Sequence, residues 1–178
     1  MGLTPSSGNL ASDSRDSAGK DVPVLIGQWG VAAAPNRLRT LLGSCIGIAL
    51  HDRIGRFGGL AHIVLPDSRG ASDNPGKFAD TAIPAMVAEL DCLLQGKAKG
   101  RLTAKIAGGA CMFQVAGGTG SAVNIGEMNR VAVERILGSL RIPIVARDVG
   151  GQTGRRLTFD LITGIVSVRV PGGEEYEI

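Results

Sequence analysis

The chain has 178 residues and a formal net charge of +3, from 19 Lys and Arg against 16 Asp and Glu. One Trp, one Tyr and four Phe cannot furnish the stacking platform of a dedicated nucleic-acid binder, and the basic residues form no dense block. Three cysteines, Cys45, Cys92 and Cys111, without C-x-x-C spacing argue against a disulfide framework or a zinc site and fit a reducing cytoplasm.

Residues 1–20 are rich in Ser, Gly and Asp, with almost no large apolar residues, and are expected to be a disordered tail. The opening Met1-Gly2 matches a loose acylation pattern and is read as coincidence. No apolar run approaches the ~20 residues that span a bilayer, so no membrane insertion is expected. Residues 21–178 are expected to form a single domain, with 27 glycines in the chain pointing to a β-containing fold with tight turns.

From Pro23 to Ala34 the sequence reads as an extended pair, with Trp29 in the core, and Leu38 to Leu42 as a further extended piece broken by Gly43-Ser44. Cys45 to His51 alternates as a strand with two unlike faces, and Phe57 to Leu65 reads similarly. The polar Asp52-Arg53-Ile54-Gly55-Arg56 between them predicts a β-hairpin. A turn centred on Arg53 and Ile54 places Cys45 directly opposite His62 on one face, ~5 Å apart at Cβ. A one-residue slip would separate them onto opposite faces.

A polar loop from Asp67 to Gly76 leads to a helix with an apolar stripe of Ala79, Ala82, Ile83, Met86, Val87, Leu90, Leu93 and Leu94, stopped at Gly96. Leu102 to Ile106 is a predicted strand running into Gly108 to Phe113, and Gly117 to Gly120 a loop. Asn124 and Glu127 have capping-box spacing and open a second helix, whose apolar face is read as Met128, Val131, Ala132, Ile136 and Leu140. Ile144 to Val149, Leu157 to Leu161 and Ile165 to Val170 are predicted strands, the last two joined at Thr163-Gly164.

Alone, a cysteine is usually a small buried hydrophobe and a histidine usually structural. Facing each other, Cys45 and His62 can do what neither does singly: the imidazole takes the thiol proton, the sulfur attacks an amide carbonyl, and the resulting thioester is hydrolysed. Thr40 is a candidate third member that orients the histidine, and backbone N–H groups at Gly43 and Ser44 are candidates for the oxyanion site. Cys111 is a rival without an evident histidine; His51 reads as an exposed structural residue near the hairpin end, and Cys92 as a helix-surface thiol. Gly150 to Arg156 lacks phosphate-loop spacing, and Arg155 and Arg156 read as a solvated turn or an acidic-partner contact.

Several ordered segments carry a family resemblance: Leu42-Gly43-Ser44-Cys45, Gly59-Leu60-Ala61-His62-Ile63-Val64-Leu65-Pro66, Lys77-Phe78-Ala79-Asp80-Thr81-Ala82, Ala104 to Ala110, Asn124-Ile125-Gly126 and Asp148-Val149-Gly150-Gly151. Together they resemble the chemoreceptor glutamine deamidases, the CheD family. The resemblance implies an α+β fold, a layered sandwich of mixed and antiparallel β-sheets with two main helices outside, related to toxin deamidases that use a Cys-His pair. It implies a cytoplasmic protein-glutamine glutaminase that converts glutamines of methyl-accepting chemotaxis proteins to glutamates through a cysteine thioester, with no cofactor and no metal. A phosphatase of the CheC type is a further partner the resemblance suggests.

Two positions depart from the family pattern. Its threonine can stand six residues before the cysteine, where this chain has Arg39, with Thr40 five before. Its Asn-Ile-Gly-x-Arg-Asn segment reads Asn124-Ile125-Gly126-Glu127-Met128-Asn129. The rival readings are a receptor- or phosphatase-binding module with an incidental cysteine, and transglutaminase or esterase chemistry on the same pair.

Overall fold

A computed structural model describes residues 19–71, 73–111 and 124–178. Residues 1–18 of the expected tail, and the expected segments at Met112, Phe113 and Gly117 to Gly120, lie outside the described residues.

Among the described residues, ten strands form two five-stranded sheets. The outer sheet has the order β1(Asp21–Pro23), β3(Arg37–Leu42), β8(Arg155–Asp160), β9(Val166–Arg169), β10(Glu175–Glu177). The inner sheet has the order β2(Trp29–Ala33), β5(Phe57–Ile63), β4(Ile46–Asp52), β6(Thr103–Gly108), β7(Ile144–Val149). Both are mixed: β1 with β3 and β6 with β7 are parallel, and the other pairs antiparallel. The helices α1(Ala79–Leu93) and α2(Ile125–Ser139) pack on the inner sheet, giving three layers. This is the expected α+β sandwich with helices outside.

The inner sheet is buried on both faces, and its strand β4 has no exposed residue. Ile46, Ile48, Leu50, Ala61 and Ile63 face the helices, where they meet Ile83, Met86, Leu90, Val133 and Leu137. The alternate residues Ala49, Leu60 and Ala107 face the outer sheet and meet Leu38, Leu42, Leu157, Phe159 and Val168. Period-two alternation therefore serves two cores at once.

The hairpin register differs from the expected one. Ile46 pairs with Ile63, Gly47 with His62 and Asp52 with Phe57, so the loop is the four residues Arg53 to Arg56 and not a two-residue turn. The Asp52 carboxylate accepts from the Ile54 and Gly55 N–H groups at 3.2 and 3.0 Å, and Arg56 adopts φ 55°. These local bonds stabilise the longer loop. Because the shift is even, Cys45 and His62 keep one face, but Gly47 is the residue opposite His62 and Cys45 is its diagonal neighbour.

Other differences are local. Trp29 is half-buried at the edge of the helix-side core, and its indole N–H donates to Glu89 at 2.8 Å. His51 is buried between the sheets, with Nε2 against the Leu161 carbonyl at 3.2 Å and its ring edge-on to Phe159. Arg155 and Arg156 lie in β8, not in a turn. Helix α2 keeps part of the expected stripe: Ala132 and Ile136 are buried, together with Gly126, Asn129, Val133 and Leu137, whereas Met128, Val131 and Leu140 are exposed. The buried polar residue of this face, Asn129, belongs to the site.

Candidate active site

The chain passes from the outer sheet to the inner one through Gly43, Ser44 and Cys45, between β3 and β4. Its geometry is fixed from below by the end of β6. The Gly109 N–H donates to the Cys45 carbonyl at 2.8 Å and the Ala110 N–H to the Gly43 carbonyl at 2.9 Å. Gly108 (φ 108°) and Gly109 (φ 67°) make this approach possible, and a Cβ on Gly108 would lie 2.2 Å from the Cys45 carbonyl oxygen.

A cleft of about 600 Å³ opens over this crossing, within the usual range of small-molecule sites. Thr40, Gly43, Ser44, Cys45 and His62 all line it, so the structure brings together every residue the sequence singled out for the site. Cys111 and Cys92 stand apart: Cys92 is exposed on α1, and the Cys111 N–H donates to the Gly151 carbonyl.

Thr40 projects from the inner face of β3 and His62 from β5, so their contact bridges the two sheets. Thr40 Oγ1 lies 2.8 Å from His62 Nδ1 and also donates to the Val24 carbonyl at 2.8 Å. A hydroxyl has one proton, and a carbonyl can only accept. With that proton on Val24, the remaining bond requires Nδ1–H to donate to Oγ1. The neutral imidazole then carries its proton on Nδ1, and Nε2 is the basic nitrogen. Nε2 is buried and has no hydrogen-bond partner among the described residues. The family's other spacing, six residues, would put Arg39 here; Thr40 supplies the contact at five.

Burial raises the Cys45 thiol above its ordinary value and lowers His62 to about 4. Both shifts have the same cause, desolvation, which favours the neutral thiol and the neutral imidazole.

Asn129 of α2 is a site residue that sequence reasoning passed over, except as part of the Asn124 to Asn129 segment. It is fully buried, and its Nδ2 donates to the Val64 carbonyl at 2.9 Å and to the Ser44 carbonyl at 3.4 Å. One amide thus ties the residue before Cys45 to the strand end that follows His62. The signal available in the sequence was a polar residue at the centre of an otherwise apolar helical period.

The rim of the cleft is apolar. Val24 is fastened to β3 by its N–H on the Arg39 carbonyl, and the Gly27 N–H donates to the His62 carbonyl. Between those anchors, Leu25 and Ile26 are 59% and 64% exposed, and Leu41 across the cleft is 65% exposed. Arg39 and Arg156 flank them.

Fold and site together define a layered α+β protein with a thiol and an imidazole lining one open cleft. The family model for CheD, described as chemotactic sensory transduction, matches residues 64–170. A Moorella thermoacetica protein named probable chemoreceptor glutamine deamidase CheD is 51% identical over 156 residues, covering 86% of this chain and 92% of that one. A Clostridium kluyveri protein of the same name is 45% identical, covering 86% and 94%. The Thermotoga maritima chemoreceptor glutamine deamidase CheD is 43% identical over 155 residues, with the same coverage. This chain belongs to the CheD family. Among the described residues no helix is long and apolar enough to cross a membrane.

Proposed function

We propose that this chain is a cytoplasmic protein-glutamine deamidase acting on methyl-accepting chemotaxis receptors through one domain over residues 21–178, with Cys45 as nucleophile and His62 as its base. The observation that carries the assignment of roles is the Thr40–His62 bond in the same cleft as Cys45. Family membership carries the substrate class.

Chemistry begins from the neutral pair. As Sγ bonds to the side-chain carbonyl carbon of glutamine, His62 Nε2 takes the thiol proton and the carbonyl π pair moves to oxygen. Collapse of the tetrahedral adduct breaks the C–N bond, and Nε2–H gives its proton to the leaving nitrogen, releasing ammonia. Water then attacks the thioester, Nε2 takes its proton, and the same proton returns to sulfur as the C–S bond breaks. The net change is glutamine and water to glutamate and ammonia, without a cofactor. The imidazolium forms only with the tetrahedral adduct, and Thr40 holds the ring through Nδ1. Backbone N–H groups at Gly43 and Ser44 are proposed to receive the oxyanion.

The test is peptide mass spectrometry of a purified receptor cytoplasmic fragment incubated with the protein or its Cys45→Ala variant. A gain of about 1 Da at defined glutamines, present with the native protein and absent with the variant, is the expected result of amide hydrolysis by a cysteine nucleophile. Equal modification by the variant would sink the assignment of Cys45. Binding of the fragment without modification by either would favour a binding module. The family suggests a CheC-type phosphatase as a second partner, to be sought by co-purification.

A further inference from the structure

On the outer face of the outer sheet, one row of residues leads away from the cleft. Leu41 on β3 faces Arg156 on β8, Arg156 faces Arg169 on β9, and Arg169 faces Glu175 on β10. Directly opposed like charges on neighbouring strands are unfavourable. Glu175 pairs with Arg169 at 3.3 Å, while Arg156 makes no ion pair among the described residues. Beside them, Asp21 is shared by Arg37 and Arg39 at 2.7 and 2.6 Å. Cations therefore exceed carboxylates at the cleft end of this face. A second depression, lined by Leu41, Gly43, Arg156, Arg169 and Pro171, continues from the first, sharing Leu41, Gly43 and Arg156 with it.

We propose that the apolar lip of Leu25, Ile26 and Leu41 with the Arg156–Arg169 pair forms a docking surface for an amphipathic receptor helix that carries a carboxylate one to two turns from its target glutamine. This rests on the receptor-deamidase reading. Neighbouring strands lie ~4.8 Å apart, so Arg156 is one spacing and Arg169 two spacings from Leu41. A helix advances ~5.4 Å per turn. With its glutamine at Cys45 and its apolar face on the lip, a helix crossing the strands brings the side chains of its next one or two turns over the two arginines. An Arg fork suits a carboxylate, and the second carboxylate relieves the charge opposition that Glu175 leaves.

The substrate is a receptor cytoplasmic fragment. Steady-state kinetics are measured for the native protein, Arg156→Gln and Arg156→Glu, and binding is measured separately on the Cys45→Ala background, where no turnover intervenes. The expected result is a KM raised about fivefold by the neutral variant and further by the reversed one, with kcat retained and the difference shrinking at high salt. Replacing the matching substrate acid by Lys is expected to restore the KM of Arg156→Glu. Arg169→Gln gives a second, independent arm.

An unchanged KM and unchanged binding in Arg156→Glu would overturn the docking surface while leaving the deamidase reading intact. Absence of modification by the native protein would instead sink the deamidase reading, and Arg156-dependent binding of the fragment to Cys45→Ala would then still support the surface. Arg156-dependent adsorption to anionic vesicles with none to the fragment would also overturn it.

Discussion

Thr40→Val tests whether the histidine tautomer is set across the two sheets. Valine matches threonine in shape but removes the one atom that both accepts from His62 Nδ1 and donates to the Val24 carbonyl, each at 2.8 Å. Thr40 and His62 are both buried, so water does not readily replace either partner. Each of the two orphaned buried groups costs about 1–3 kcal/mol, so the variant should lose about 2–6 kcal/mol of stability. The imidazole also loses the bond that fixes its proton on Nδ1. A ring free to carry the proton on Nε2 has no lone pair for the thiol, and kcat should fall about 10- to 100-fold at temperatures where the variant is folded. Thr40→Ser keeps the hydroxyl and should retain most of both. The assay is ammonia release from a receptor fragment, together with thermal unfolding of all three proteins. A folded Thr40→Val protein with full kcat would refute the reasoning, because the bond would then be packing alone.

The pH dependence expected from the proposed mechanism follows from His62, whose neutral form would act as the base. Because burial lowers it to about 4, the acid limb of kcat/KM should lie near that pH, well below the 6.5 of a free imidazole. An acid limb at 6 or above would contradict this. The same residue withdraws stability in acid: the unfolded histidine protonates below about 6.5 while the folded one resists, so stability held above 6.5 is lost as pH falls toward 4. At 1.36 kcal/mol per pH unit that loss is about 3 kcal/mol at most, and it should be missing in His62→Gln when the two urea titrations are compared across that window. Gly108→Ala combines a φ of 108° with a Cβ 2.2 Å from the Cys45 carbonyl oxygen, and should cost about 3 kcal/mol or more, read from the denaturation midpoint.

Much of the site was legible because the relevant patterns are short-range. The alternation from Cys45 to His51 and from Phe57 to Leu65 identified both strands, and parity alone kept the thiol and imidazole on one face. The register was not legible, because it depends on the Asp52 carboxylate binding the Ile54 and Gly55 amides, a choice between loop lengths that composition leaves open. The two edge strands β1 and β10 are three residues each, too short to show a period, and β1 exists through its parallel pairing with β3. His51 reads as exposed because it sits near a hairpin end, yet the second sheet covers it; nothing local announces a second layer. Asn129 escaped for a related reason, since its partners at Ser44 and Val64 are far away in sequence.

The position of Cys45 at the crossover between sheets has a consequence for how activity is gated during the life of the chain. In the proposed mechanism the nucleophile sits on the connecting segment, the base on one sheet and the residue that sets the base's tautomer on the other, and the Asn129 amide that ties Ser44 to Val64 comes from the third layer. No single layer contains all of Thr40, Cys45, His62 and Asn129. Deamidation by this mechanism therefore needs all three layers packed together, and activity is expected to vanish in step with global unfolding.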